Sequence, residues 1–467
     1  MRTQMLRHLG SLVGPTARLG GEGAKLLFAQ RAARDGLSPP AEFSWREYGI
    51  FLLSMAAEIE HSLMVQYLYA AWSFGGSDVP APHQQEIATW QRIVMGVAKE
   101  EMGHLITVQN LLRLLGGPAH LDREDFPWIS GFYPYAFKLE PATRATVAKY
   151  VVAESPETWP DSVAPAEKTE IERLATVDAG MQVGRVGVLY GELIDIVSDP
   201  RKLPDSEFRG DTYPHQASFD DWGRGYAAGA RGSTATTTPD VLVLRANNRA
   251  QAVTALKAIA EQGEATQFIS ADKEDSHFSR FLKVWRGLSG ATGWSPSLPL
   301  PVDPVVPGLG TDQREATVIQ NPESIGWGAL FNLRYRMLLT WLAHALTLGA
   351  NEPGDVLPGR PGLALNRVFN EMYFLKSIAS LLTRRPLDTD PLVPAGPPFQ
   401  MPYSLNLPSD EQDFWRLHFD LLEASRELTA RLPASGADGA TFLAALREAD
   451  SQSRRDVRAI LSGGIHS

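Results

Sequence analysis

Lys99-Glu100-Glu101-Met102-Gly103-His104 lies within a run of helical periodicity from about His83 to Leu115, which Gly116-Gly117-Pro118 closes. Glu101 and His104 are three residues apart, so on a helix they project from one face, about 60° from each other. That is how one helix offers a carboxylate and an imidazole to a single ion. The spacing recurs at Glu274-Asp275-Ser276-His277. A single such pair is common by chance. Two, on separate helices, are the pattern of a bundle that holds two metal ions and draws one inward glutamate from each remaining helix.

The first remaining helix runs from about Trp45 to Phe74, with Ser44 as its N-cap and Gly75-Gly76 as its stop. Ala56, Ile59, Leu63 and Tyr67 form its apolar stripe. Glu60 falls on that stripe and Glu58 points away. A carboxylate on a buried face is costly unless it is paired or binds metal, so Glu60 is either a ligand or half of a buried ion pair. A third helix is expected from about Pro165 to Val197, where Glu192 sits between apolar neighbours as the fourth-helix candidate. The last helix is ambiguous. Glu261-Gln262-Gly263-Glu264 ends one segment and Glu274 to His277 opens the next. By spacing Glu274 is the partner of His277; Glu264 can join only if the chain bends between them, where Ser270 or Asp272 can cap a restart.

With 44% hydrophobic and 21% charged residues, the composition is that of a globular protein. The chain has no cysteine, which excludes disulfides, thiolate zinc, iron–sulfur clusters and cysteine nucleophiles. A metal must then use histidine and carboxylate, which suit iron, manganese and zinc. The formal net charge of -10 argues against nucleic acid as a partner. No stretch approaches the roughly 20 apolar residues of a membrane span, and a cytoplasmic location is expected. The Arg-rich N-terminus reads as a flexible or docking arm rather than a targeting peptide, since no apolar core follows it.

At 467 residues the chain is long for one core. The organisation expected is an arm over 1–40, a helical bundle over 41–293 with an irregular insertion at 201–240, and a C-terminal helical subdomain over 294–467. A proline-rich stretch, Trp294 to Gln313, marks the boundary. Val241 to Leu244 reads as a short strand. C-terminal helices are expected at Ile325–Leu348, Leu363–Leu382, Asp410–Leu432 and Thr441–Leu461.

Ala57-Glu58-Ile59-Glu60-His61 with Gln66-Tyr67-Leu68, Glu100 to His104, Val186-Gly187 with Leu189-Tyr190, Glu261 to Glu264, Ser276-His277-Phe278 with Phe281, and Ala395-Gly396-Pro397-Pro398-Phe399 stand in order along the chain. In these motifs, spread over about residues 45 to 430, the sequence resembles the ferritin-like domain of the violacein-pathway iminophenylpyruvate dimer synthase and its stand-alone relatives. The resemblance implies an all-α fold, a ferritin-like four-helix bundle with an additional C-terminal layer and long irregular insertions. It implies iron-type ligands at Glu60, Glu101, His104 and His277, and it favours Glu264. Val188 stands where relatives often carry a polar residue, so Glu192 is inferred from its own helix and not from the resemblance.

Tyr67 and Tyr190 flank the presumed site; each can donate a hydrogen bond to a ligand carboxylate or simply pack. His61 diverges from Glu60 by about 100° and reads as a satisfied histidine, as do His344 and His418. The functional expectation is a non-haem dinuclear iron oxidase or oxygenase, with manganese as the other candidate metal. It would act with dioxygen on a small, amino-acid-derived molecule in specialised biosynthesis, as a possible homodimer. The rivals are a ferroxidase and a metal-free scaffold on the same fold.

Overall fold

The computed structural model describes residues 39, 42–123, 133–180, 182–223, 240–263, 276–308, 316–348, 360–390, 392–401, 405, 407–433 and 436–463. Helix α1, Trp45–Ser73, starts on a capping box: the Ser44 hydroxyl accepts from the Glu47 N–H at 3.2 Å, and the Glu47 carboxylate accepts from the Ser44 N–H at 2.9 Å. Almost every residue of α1 from Phe51 to Tyr67 is buried, so this is a central helix without a wet face. Helix α2, Gln84–Leu114, packs against it. The Arg46 guanidinium, at the start of α1, donates to the Leu115 carbonyl at 2.8 Å, which places the end of α2 beside the start of α1 and makes the pair antiparallel.

The second pair of the bundle is broken in the middle. Helix α3, Arg144–Ala153, stops at Glu154, and after an excursion through helix α4, Pro165–Ala179, the chain returns to form helix α5, Gly187–Ser198. The Val186 N–H donates to the Ala153 carbonyl at 3.0 Å. Val186 thereby fills the place in the helical ladder that the fourth residue after Ala153 would occupy, and α5 resumes where α3 stopped. Helix α6, Arg249–Gly263, and helix α7, His277–Leu288, form the partner. Packing runs α3 against α7 and α5 against α6, the order of two antiparallel helices each cut once. The excursion is tied down by Lys149, fully buried on α3 and paired with Asp178 of α4 at 2.9 Å and with Glu140.

The single helix expected from Pro165 to Val197 is therefore two helices. Gly180, at φ 65, ends the first in the left-handed conformation, and α3 was not anticipated at all. Residues 241–244 do not enter a sheet. They run extended across α2, where the Thr107 hydroxyl donates to the Leu242 carbonyl at 2.7 Å and accepts from the Leu244 N–H at 3.1 Å, and the Asn110 amide donates to Leu244 at 2.9 Å. Side chains of α2 do the work of a neighbouring strand.

Beyond a two-residue parallel pair, β1 (Pro304–Val305) with β2 (Thr317–Val318), the C-terminal part forms α8 (Pro322–Leu348), α9 (Arg360–Leu382), α10 (Glu411–Arg431) and α11 (Ala437–Leu461). These helices meet the bundle at α1: the Tyr335 hydroxyl bonds His61 Nε2 at 2.5 Å, and buried Arg123 donates to Tyr335 at 3.0 Å. Among the described residues no helix is long and apolar enough to cross a membrane.

Candidate metal centre

Five buried side chains converge where the second helix pair is cut. Glu60 comes from α1, Glu101 and His104 from α2, Glu154 from the end of α3 and His277 from the start of α7. His104 Nδ1 lies 2.8 Å from Glu101 Oε2 and 3.3 Å from Glu60 Oε2. His277 Nδ1 lies 2.9 Å from Glu101 Oε1 and 3.7 Å from Glu154 Oε2. Among the described residues two groups result, Glu60–Glu101–His104 and Glu101–Glu154–His277, with the ligand atoms of each within 4.8 Å of one another. Glu101 belongs to both and offers one oxygen to each.

Every outer atom of these ligands is held. The Tyr190 hydroxyl donates to Glu60 Oε1, and the Tyr67 hydroxyl donates to Glu154 Oε1 at 2.5 Å. In both carboxylates this leaves Oε2 facing inward. His104 Nε2 meets Gln262 Oε1 at 2.9 Å, while the Gln262 amide donates to the Asp240 carbonyl at 2.8 Å. The carbonyl forces the amide orientation, so Gln262 presents its oxygen to the imidazole and His104 must carry its proton on Nε2. His277 Nε2 meets Glu100 Oε2 at 3.0 Å, and Arg280 and the Asp240 N–H also bind that carboxylate. Glu100 can only accept, so His277 too has its proton on Nε2. In both rings Nδ1 is the atom left for a metal.

Burial opposes charge at each group; the partners overcome it at Glu60, His104, His277 and Glu100 but not at Glu101. The His104 imidazole is raised because Glu60 outweighs its burial, and the Glu60 carboxyl is lowered in return. Burial also opposes a charged His277, yet Glu101, Glu100 and Glu154 raise it to about 10. Burial pushes the Glu101 carboxyl well up, against the pull of His277 and with the repulsion of Glu60 and Glu154. Glu100 is held at about 2, Arg280 and His277 overcoming its burial.

The donor set fits metal ions. Glu60 Oε2, Glu101 Oε1 and His277 Nδ1 are buried without a hydrogen-bond partner, although His277 Nδ1 and Glu101 Oε1 are 2.9 Å apart. Buried polar atoms that lie so close without a hydrogen bond between them are costly when left to themselves. Three carboxylates and two imidazoles without thiolate are a set that suits iron, manganese or zinc. Beside them a cavity of about 10 Å³, room for one water-sized species, is walled by Leu63, Val186, Gly187, Ile259, Ala260 and Gly263.

Of the residues singled out by spacing, the structure brings Glu60, Glu101, His104 and His277 together. Glu192 is in neither group. Its carboxylate accepts from the Tyr48 hydroxyl at 2.5 Å. The reason is helical phase: Tyr190 points at Glu60, and a residue two further on is turned about 200° away. Glu264 and Glu274 lie outside the described residues. Glu154 was missed by the sequence reading, since no periodic partner marks it; the available signal was an acid closing the apolar run Tyr150–Ala153. Glu58 does point away from the site, buried against His120 at 2.7 Å and Tyr133.

A family model described as Ferritin-like matches residues 53–286. A dichlorochromopyrrolate synthase from Lentzea aerocolonigenes is 26% identical over 371 residues, 70% of this chain and 34% of that protein. The chain thus spans about a third of the length of this curated relative. A ferritin-like protein from Caulobacter vibrioides, solved as a crystal structure, is similar at a TM-score of 0.40 and 16% identity, over 72% of this chain and 95% of that one.

Proposed function

The chain belongs to the Ferritin-like family, and on that premise we propose that it is a dinuclear, iron-dependent oxidoreductase acting on a small, amino-acid-derived molecule in specialised biosynthesis. The observation that carries this reading is the sharing of Glu101 between two groups whose histidines both turn Nδ1 inward. The relative named as a dichlorochromopyrrolate synthase supports a biosynthetic role. Glu60, Glu101 and His104 would hold one ion; Glu101, Glu154 and His277 would hold the other. Bound iron would supply the redox chemistry by which dioxygen oxidises an organic substrate. The chain itself orients the ligands through Tyr190, Tyr67, Gln262 and Glu100.

Metal analysis after anaerobic reconstitution with ferrous iron tests the reading. About two ions per chain are expected, and fewer than one would overturn it. His104→Ala and His277→Ala should each lower the metal content while far-UV circular dichroism stays at the wild-type level. The small cavity favours a second reading, oxidation of ferrous iron itself, because it has room for a water-sized species only. Counting ferrous ions oxidised per chain separates the two: many turnovers without organic substrate would make this an iron-handling protein.

A further inference from the structure

The two halves of the centre match ligand for ligand: an inward carboxylate held by a tyrosine, an imidazole with Nδ1 turned in, and the shared Glu101. They differ at one place. Behind His104 stands a neutral amide, Gln262, and behind His277 stands a carboxylate, Glu100, that is paired with Arg280. Glu100 is fully buried and fixed from three directions, by His277 Nε2 at 3.0 Å, by the Asp240 N–H at 2.8 Å and by the Arg280 guanidinium. The Asp240 peptide links the two, its N–H binding Glu100 and its carbonyl binding Gln262. Both outer partners are thus held by the backbone of Asp240, and a carboxylate paired with Arg280 stands in one half where the other has an amide.

An imidazole whose far N–H is bonded to a carboxylate is a stronger donor at its other nitrogen than one bonded to an amide. Resting on the reading that the groups hold metal, we propose that Glu100 is a positioning residue that makes the centre unequal: acting through His277, it makes the Glu154–His277 half the tighter of the two. The Glu60–His104 half, backed by Gln262, holds its ion more loosely and exchanges it first. Glu100 itself does not reach the ions.

The test isolates each half in the full-length chain and reads manganese(II) binding by electron paramagnetic resonance. Glu60→Ala retains the Glu154–His277 half, and Glu154→Ala retains the Glu60–His104 half. Adding Glu100→Gln should weaken manganese binding about 10- to 100-fold in the first background and by less than about threefold in the second. Glu100→Asp, which keeps the charge, should restore much of the loss. Equal weakening in both backgrounds would make Glu100 a general structural residue and overturn the proposal, as would no change in either. Should Glu100→Gln fail to fold because Arg280 loses its counter-ion, the double variant Glu100→Gln/Arg280→Met takes its place with the same expected outcomes. If the unsubstituted chain binds less than one ion, the metal reading fails instead, which is a different result.

Discussion

Tyr190 and Tyr67 show how much a single hydroxyl decides. Each fixes one oxygen of a buried carboxylate and so aims the other. Tyr190→Phe would leave Glu60 Oε1 buried without its donor, a loss of about 1–3 kcal/mol that urea denaturation of the metal-free protein can measure; an unchanged midpoint would show that water replaces the hydroxyl. Protonation belongs to the same scale. Without metal His277 titrates at about 10, so near neutral pH it carries a proton that an ion must displace. Metal affinity should therefore rise with pH across the neutral range and up to about 10. Calorimetric titration in buffers of different ionisation enthalpy would count the protons released, and a count of zero would contradict the assignment. Spacing made Glu60, Glu101, His104 and His277 legible because each lies on an apolar stripe or in a three-residue pair. Glu192 lies outside both groups because phase along α5 depends on where that helix starts, which is set by its junction with α3.

At the scale of elements, the cuts in the second helix pair are what build the site. Glu154 stands at the end of α3 and His277 at the start of α7, where the Ser276 hydroxyl caps the new helix by accepting from the Ser279 N–H at 3.2 Å. Apolar periodicity located α1, α2 and the C-terminal helices well, because long buried stripes fix them. It could not show that α3 and α5 form one interrupted helix, since the hydrogen bond joining them spans an excursion of more than thirty residues in sequence. Gly103, within the stretch that revealed the fold, has an element-level role. A Cβ there would lie 2.9 Å from the N and O atoms of Leu242. These are backbone atoms and cannot swing aside, so Gly103→Ala must push the 240–244 segment off α2. The expected cost is about 1–3 kcal/mol, seen as a lower thermal midpoint. Because Asp240 moves with the segment and holds both Glu100 and Gln262, metal content should fall as well. A stable variant with full metal content would show that the segment is not needed to hold the ligands.

For the whole molecule, the C-terminal layer rests on buried polar groups of its own. Arg334, fully buried, meets Glu371 at 2.9 Å and Asp450 at 2.5 Å. Further along α8, His344 Nδ1 lies 3.0 Å from His418 Nε2, between the rings of Phe414, Trp415 and Trp341. One proton serves that contact, so the pair is stable only when neutral, and burial lowers His344 to about 4, against the pull of Glu411, and His418 well below its ordinary value. For a histidine with a depressed folded-state value, stability is present above the unfolded value and is lost as the pH falls through that value toward the folded one. The layer should therefore weaken between roughly pH 7 and pH 4, and His344 alone accounts for about 2 kcal/mol by pH 5. His277, raised rather than lowered, acts in the opposite sense in metal-free protein, which makes the total pH profile a poor test. The difference between wild type and the double variant His344→Phe/His418→Phe isolates the pair. The gap in urea midpoints between the two proteins should shift in favour of the variant as the pH is lowered from 7.5 to 5. A gap that stays constant would mean that the two histidines do not become charged until the layer has already opened.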